Sequence, residues 1–197
     1  MKTNKPRIII GISGSSGIIY GIRLLEVLKS MSIETHLVVT KAGQLTRAYE
    51  TDMSAAELKG LADVYHPYTD ITASIASGSF KTMGMIVAPC SMKSLGEIAH
   101  GIAGNLLTRA ADVVLKERRR LVLMPRESPL HLGHLQNMVQ VTQMGGIICP
   151  PMPAFYHKPK SVLELVNESV GRVLDLFDLE TGLVRRWGED DAGSRNG

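Results

Sequence analysis

The sequence predicts a doubly wound α/β domain on a mainly parallel sheet. Three observations carry that reading: short β-branched apolar runs without polar alternation, helical periodicity between them, and a Gly/Ser turn directly after the first run. A strand covered on both faces reads as a continuous apolar run because neither side meets water. Five runs fit, namely Ile8–Ile12, Thr35–Val39, Met85–Ala88, Leu121–Met124 and Ile147–Cys149. Between the first two, Ile18–Lys29 carries apolar residues at 18, 22, 25 and 28, one face of a helix. Ser54-Ala-Ala-Glu57 reads as a capping box opening a further helix, and Ser161-Val-Leu-Glu164 as a second one opening Val162–Phe177. Asn105–Arg119 is helical in pattern. Strand and helix alternate throughout, and a doubly wound sheet takes its ligands at the carboxyl ends of the strands.

The chain has 197 residues, 44% apolar and 21% charged, which suits one globular domain over residues 1–187. Residues 188–197 form a polar tail expected to be disordered. No apolar run approaches the roughly 18 residues of a membrane span, and Met1–Lys5 leads into a strand rather than a signal segment, so a cytoplasmic protein without membrane contact is expected. Cys90 and Cys149 are too few for a disulfide framework or a zinc site and read as reduced, buried thiols. A net charge of +3, with five Tyr, three Phe and one Trp to stack bases, disfavours nucleic acid and favours anionic small molecules.

GISGSSGIIYG, Gly11 to Gly21, is where such a chain meets a phosphate. Its glycines at 11, 14 and 17 lack the G-x-G-x-x-G order of a dinucleotide site, and the turn lacks the Gly-Lys-Ser ending of a P-loop. Ser13, Ser15 and Ser16 can instead join the free amides at a helix N-terminus in holding the terminal phosphate of a mononucleotide. Thr40-Lys41 follows the second strand, Pro89-Cys90-Ser91-Met92-Lys93-Ser94 the third and Pro125-Arg126-Glu127 the fourth. Hydroxyls and cations recurring at one sheet edge predict a ligand-lined crevice. His131 and His134 have no third ligand at metal spacing; they read as hydrogen-bonded histidines at a helix start, and no metal is expected.

These motifs, together with Ala76-Ser77-Gly78-Ser79-Phe80, Leu107-Thr108-Arg109-Ala110-Ala111-Asp112-Val113, Pro125-Arg126-Glu127-Ser128-Pro129-Leu130-His131 and Pro150-Pro151-Met152-Pro153-Ala154-Phe155-Tyr156, resemble the UbiX flavin prenyltransferase family over residues 7–187. The resemblance implies a Rossmann-like, flavodoxin-like three-layer sandwich that binds FMN. It implies a metal-independent transfer of a dimethylallyl group from dimethylallyl phosphate to N5 and C6 of reduced FMN. The product, prenylated FMN, serves a UbiD-type decarboxylase. At the flavin the resemblance puts Gly14, Ser15, Ser16, Thr40, Ser91, Met92, Lys93, Ser94 and Arg126. Thr40 and Ser128 depart mildly from the serine and threonine common in relatives, with a hydroxyl kept at each.

By spacing alone, Arg109 and Lys116 read as a solvated basic face of one helix. The resemblance instead places Lys116, Tyr156 and Arg172 on the prenyl phosphate, with Arg109 nearby. It implicates Glu50 and Glu127 in proton transfer, with Ser16 positioning the path, although Glu127 beside Arg126 also reads as a simple ion pair. It further implies a homo-oligomer, a dodecamer, with composite sites. The small residues of Ala99–Gly104 and Ala110-Ala111 are candidates for close packing, against a neighbour or within the chain. Two other functions suit the same fold. An FMN-dependent cysteine decarboxylase would carry a Pro-Ala-Ser-Ala-Asn-Thr motif and a histidine after the first strand, both absent; a flavin carrier would be acidic and aromatic-rich, and this chain is neither.

Overall fold

Six parallel strands form one sheet in the order β3-β2-β1-β4-β5-β6. They are β1 (Arg7–Ile12), β2 (Glu34–Val39), β3 (Val64–Pro67), β4 (Gly84–Cys90), β5 (Arg120–Pro125) and β6 (Ile147–Ile148). The computed structural model describes residues 5–186. These fall into two compact units, Met1–Pro150, which holds the sheet, and Pro151–Gly197. The polar tail at 188–197 lies outside the described residues.

Five strands coincide with the predicted runs, and on their own they have the order 2-1-3-4-5 of flavodoxin-like sheets. The strand missed is β3, four residues at the sheet edge with only His66 buried, which extends the order to 3-2-1-4-5-6. A half-exposed edge strand ending in proline carries no apolar run for a pattern to detect. The chain leaves β1 toward β2 and β3, then crosses back to place β4 on the other side of β1. The switch point therefore lies between the carboxyl ends of β1 and β4.

The helices of the first unit are α1 (Ile18–Lys29), α2 (Lys41–Glu50), α3 (Ala55–Gly60), α4 (Met92–Ala99), α5 (Leu106–Lys116) and α6 (Leu132–Gln143). Residues of alternate parity on the strands serve opposite layers. Ile9, Val38, Met85, Val87, Leu121 and Leu123 share a core with Leu95 of α4, Leu107 and Val114 of α5 and Val141 of α6. α1 packs against β1, β2 and β4 and buries Leu24, Leu25 and Leu28 completely, each worth about 1.5–3 kcal/mol relative to exposure. Ala99, Ala110 and Ala111 lie in the chain's own core at no more than 1% exposure. Their small size serves packing within the chain, so they are not the neighbour-facing patch.

α5 is shorter than its pattern, because the chain turns out of the helix at Arg118, whose φ is 56°. The Ser54 capping box is complete: its hydroxyl accepts the Glu57 amide, and Glu57 accepts the Ser54 amide at 2.7 Å. At Ser161 only half the box forms. Its hydroxyl accepts the Glu164 amide at 3.2 Å, but the Glu164 carboxylate reaches one residue further back, to the Lys160 amide at 2.8 Å. In the second unit α7 (Val162–Asp175) buries Val166, Val170, Val173 and Leu174 and stops two residues short of Phe177. Among the described residues no helix is long and apolar enough to cross a membrane.

Candidate active site

A crevice of about 350 Å³ opens at the carboxyl ends of β1, β2 and β4, lined by Gly14, Thr40, Ser91, Lys93, Ser94 and, beyond those foreseen, Tyr68 and Asn105. Each strand delivers one wall. After β1, Gly14 comes so close to α2 that a Cβ there would lie 2.2 Å from the Ala42 Cβ. After β2, Thr40 caps α2 and accepts the Gly43 amide at 3.0 Å. After β4, Ser91 caps α4, accepting the Ser94 amide at 3.3 Å and donating to the Ser94 hydroxyl at 3.2 Å. Those caps leave the first-turn amides of Lys41 and Ala42 and of Met92 and Lys93 without intrahelical acceptors, since an α-helix bonds none of its first four N–H groups. Lys93 itself is exposed and pairs with Glu97 one turn on; Met92 is half-buried against the core.

Ser13 does not face the crevice as the turn's composition suggested. Its buried hydroxyl donates to the Pro89 carbonyl at 2.9 Å and accepts the Ser91 amide at 2.7 Å. It stitches the β1 turn to the β4 turn across the switch point. Nothing local distinguishes it from Ser15 and Ser16; only the pairing of β1 with β4 assigns it this job.

The N-terminus of α1 is occupied by a side chain. Glu50, at the end of α2, accepts the Gly17 amide at 2.8 Å and the Ile18 amide at 3.0 Å, and the Ser16 hydroxyl also hydrogen-bonds to it. The expectation that these amides hold a phosphate is therefore corrected: a carboxylate already neutralises this end of the helix dipole. Burial pulls the Glu50 pKa upward, but the bonds from Ser16, Gly17 and Ile18 and the nearby charge of Arg126 outweigh it and hold it below the usual value. Arg126 reaches this turn from the end of β5. A Cβ on Gly17, whose φ of 101° suits glycine, would meet the guanidinium at 2.4 Å, and the Tyr20 ring lies 5.8 Å from it. Glu127 is exposed and accepts the Ser128 amide at 3.1 Å, so the simple ion pair with Arg126 does not form.

One observation bears directly on whether a flavin fits. The Ser15 hydroxyl is buried, yet it has no hydrogen-bond partner. A buried hydroxyl left unsatisfied costs about 1–3 kcal/mol, so this one is suited to a polar ligand arriving at the β1 turn, next to Gly14 of the crevice wall. The lining combines hydroxyl and amide groups with two lysines, Lys41 and Lys93, the second paired with Glu97, and the apolar Leu45; hydroxyls, amides and the Lys41 ammonium suit a phosphate-bearing mononucleotide.

Of the four residues expected at the prenyl phosphate, Arg109 and Lys116 share the crevice's unit and do not line it. Arg109 is held at 2.7 Å by Asp112, one turn along α5, and the Lys116 ammonium pairs with its neighbour Glu117. Lys116 opens instead on a separate cavity of about 550 Å³ beside Asp112 and Met144. Tyr156 and Arg172 belong to the second unit. There Tyr156 is half exposed with its ring 3.8 Å from that of His157, and Arg172 pairs with Asp175 at 3.0 Å. His131 caps α6 with Nδ1 accepting the His134 amide at 3.3 Å, and the two rings stack 3.5 Å apart. His134 Nδ1 itself is buried without a partner, so only one of the two is hydrogen-bonded as expected. Cys90 is fully buried and burial pushes its thiol up to about 12, which makes it inert, whereas Cys149 is only half-buried.

The model of the Flavoprotein family matches residues 1–175. A curated flavin prenyltransferase UbiX of Thauera aromatica is 56% identical over 181 residues, covering 92% of this chain and 93% of that protein. Among solved structures, AnUbiX (PadA1) in complex with FMN and dimethylallyl pyrophosphate is similar with a TM-score of 0.92 and 49% identity, covering 93% of this chain and 98% of that one. A dodecameric FMN-dependent UbiX-like decarboxylase from Escherichia coli is similar with a TM-score of 0.90 and 50% identity, covering 92% and 98% of the two chains. The chain belongs to the Flavoprotein family and, within it, to the UbiX flavin prenyltransferases.

Proposed function

We propose that this protein is a metal-independent flavin prenyltransferase that binds FMN in the β1/β4 crevice and supplies prenylated FMN to a UbiD-type decarboxylase. The observation that carries the reading is the β1 turn, where a buried, unpartnered Ser15 hydroxyl stands next to an ionised carboxylate on Ser16, Gly17 and Ile18. Reduced FMN, when bound, supplies the nucleophile at N5 and the ring carbon C6 that receive the dimethylallyl group.

The two ends of the crevice divide the work. Gly14, Thr40 and Ser91 to Ser94 hold the FMN phosphate, with hydroxyls and first-turn amides at the starts of α2 and α4. Ser15, Ser16 and Arg126 face the ring. Glu50, kept ionised, accepts the proton released there, and Ser16 relays it. Glu127, exposed at the end of β5, exchanges the second proton with solvent. Arg109, Lys116, Tyr156 and Arg172 bind the donor phosphate, each exchanging its present acidic or aromatic neighbour for it. Since Arg109 and Lys116 do not line the crevice of their own chain, the complete site needs a second copy, in keeping with the dodecameric relative. The family model's span across both compact units supports one flavoprotein domain over residues 1–187. The protein works in the cytoplasm.

The test incubates the protein anaerobically with reduced FMN and dimethylallyl phosphate and analyses the flavin by mass spectrometry. A flavin heavier by one five-carbon unit is expected; unmodified FMN would overturn the reading in favour of a carrier or a decarboxylase. A parallel arm with the pyrophosphate, the form present in the AnUbiX complex, distinguishes the two esters.

A further inference from the structure

Two of the cations assigned to the donor phosphate share one local arrangement: each is held by a carboxylate that also has a second cation. At the end of α5 the Lys116 ammonium pairs with Glu117, and the other oxygen of that carboxylate faces the Arg119 guanidinium at 4.0 Å. Arg119 is itself fixed, donating to the Gly78 carbonyl at 2.6 Å and to the Phe80 carbonyl at 2.7 Å. The pair is seated on bare backbone, since a Cβ on Gly78 would lie 2.2 Å from the Glu117 carboxylate and 2.8 Å from Lys116 Nζ. In the second unit Asp175, the last residue of α7, accepts from Arg172 at 3.0 Å. Arg186 grips both oxygens of the same carboxylate, at 3.3 and 3.1 Å. The Asp175 side chain is 14% exposed and that of Arg172 58%, so the acid is the fixed member and the arginine the one able to leave.

We propose that Glu117 and Asp175 are positioning residues that hold Lys116 and Arg172 until the donor phosphate replaces them, with Arg119 and Arg186 staying behind to neutralise the vacated carboxylates. The inference rests on the donor-binding reading given above and adds how those cations become available. Breaking an ion pair is costly mainly when the abandoned charge is left without a partner, and here it keeps one. A shared carboxylate also divides its attraction between two cations, which loosens its hold on the one that moves. The apparent donor affinity is the intrinsic one scaled by the fraction of protein whose cation has been released, so the second cation sets how tightly the donor binds. The signs follow. Neutralising the carboxylate releases the donor-binding cation and tightens donor binding. Neutralising the second cation leaves the carboxylate a single partner and weakens donor binding. A general field of the added or removed charge has the same signs, but it persists when the donor-binding cation is absent, whereas an effect exerted through that cation disappears.

The test measures the dissociation constant of dimethylallyl phosphate by calorimetry on protein loaded with oxidised FMN, so that binding is read without transfer, and circular dichroism melts check folding. Lys116→Ala and Arg172→Ala should each weaken donor binding. Glu117→Gln should tighten it about 2- to 5-fold, as for an exposed ion pair. Asp175→Asn should tighten it at least as much, because a less exposed pair is screened less. Arg186→Gln should weaken it, again about 2- to 5-fold. Arg119 is left intact, because it also holds the Gly78 and Phe80 carbonyls. In an Arg172→Ala background Asp175→Asn and Arg186→Gln should lose their effects, and Glu117→Gln should lose its effect in a Lys116→Ala background. Wild-type donor affinity in both Lys116→Ala and Arg172→Ala would overturn the donor-binding reading itself. If those two weaken binding but the carboxylate variants do not tighten it, if Arg186→Gln does not weaken it, or if the effects persist in the double variants, the holding role alone is overturned.

Discussion

Two helices start at the switch point, α1 after β1 and α4 after β4, and their N-termini are used in opposite ways. α4 has a local cap: Ser91 satisfies the Ser94 amide three residues on, and the end of the helix opens on the crevice. α1 has no side-chain cap of its own; Gly17 sits at the N-cap position in the left-handed region, and Glu50, more than thirty residues away in sequence, seals the end. An N-terminus closed by a carboxylate is poorly suited to a phosphate, which is why the proposed anion site is at α4 and α2. The seal leaves an ionised carboxylate at α1, the group proposed above as the base.

The sharpest way to break this division is Glu50→Gln. Product formation is expected to fall roughly 10²- to 10⁴-fold, as for loss of a general base, measured by flavin mass spectrometry under single-turnover conditions. Its stability effect is smaller, about 0.3–1 kcal/mol for one charge at an exposed helix N-terminus. The sign with pH follows from the lowered pKa. The contribution of the Glu50 charge is fully present above the unfolded carboxyl value of roughly 4.3 and is lost as pH falls through the folded value below it. The Tm difference between wild type and variant should therefore shrink as the solution is acidified below that range.

Gly14→Ala tests the wall between the turn and α2. The added Cβ meets both the side chain and the backbone of Ala42, so a loss of about 1–3 kcal/mol is expected by denaturant unfolding, with weakened FMN binding. Ser91→Ala removes the α4 cap and should cost about 1 kcal/mol by the same measurement. Ser16→Ala is the mildest. Glu50 keeps its two backbone donors, so the loss of one hydrogen bond, about 0.5–1.5 kcal/mol, should slow turnover about 2- to 10-fold, with a smaller loss of FMN affinity than in Gly14→Ala.

What was legible in the sequence follows the same local versus long-range line. Buried parallel strands announce themselves because both faces are apolar, and α1 begins and ends where its period says. Thr40 and Ser91 were legible as hydroxyls directly after strands; that each also caps the next helix is what the structure adds. α2 was not, since Gly43 is its only buried residue and it carries no apolar stripe. Nor could the turn reveal that Ser13 is spent on Pro89 and Ser91, or that Glu50 rather than a ligand takes the Gly17 amide. Both depend on which strands become neighbours. Arg109 and Lys116 do share a helix, but their local partners Asp112 and Glu117 decide where the charges point within the chain.

The central claim is that the α4 end of the crevice holds FMN and the α1 end does chemistry on it. It is tested most directly by measuring, for Glu50→Gln and Ser91→Ala side by side, the FMN dissociation constant by titration and the single-turnover prenylation rate at saturating FMN. Glu50→Gln should keep the wild-type dissociation constant and lose the rate, while Ser91→Ala should raise the dissociation constant and keep the rate once saturated. The opposite pattern, with FMN lost from Glu50→Gln and affinity intact in Ser91→Ala, would contradict the claim and return the phosphate to the N-terminus of α1.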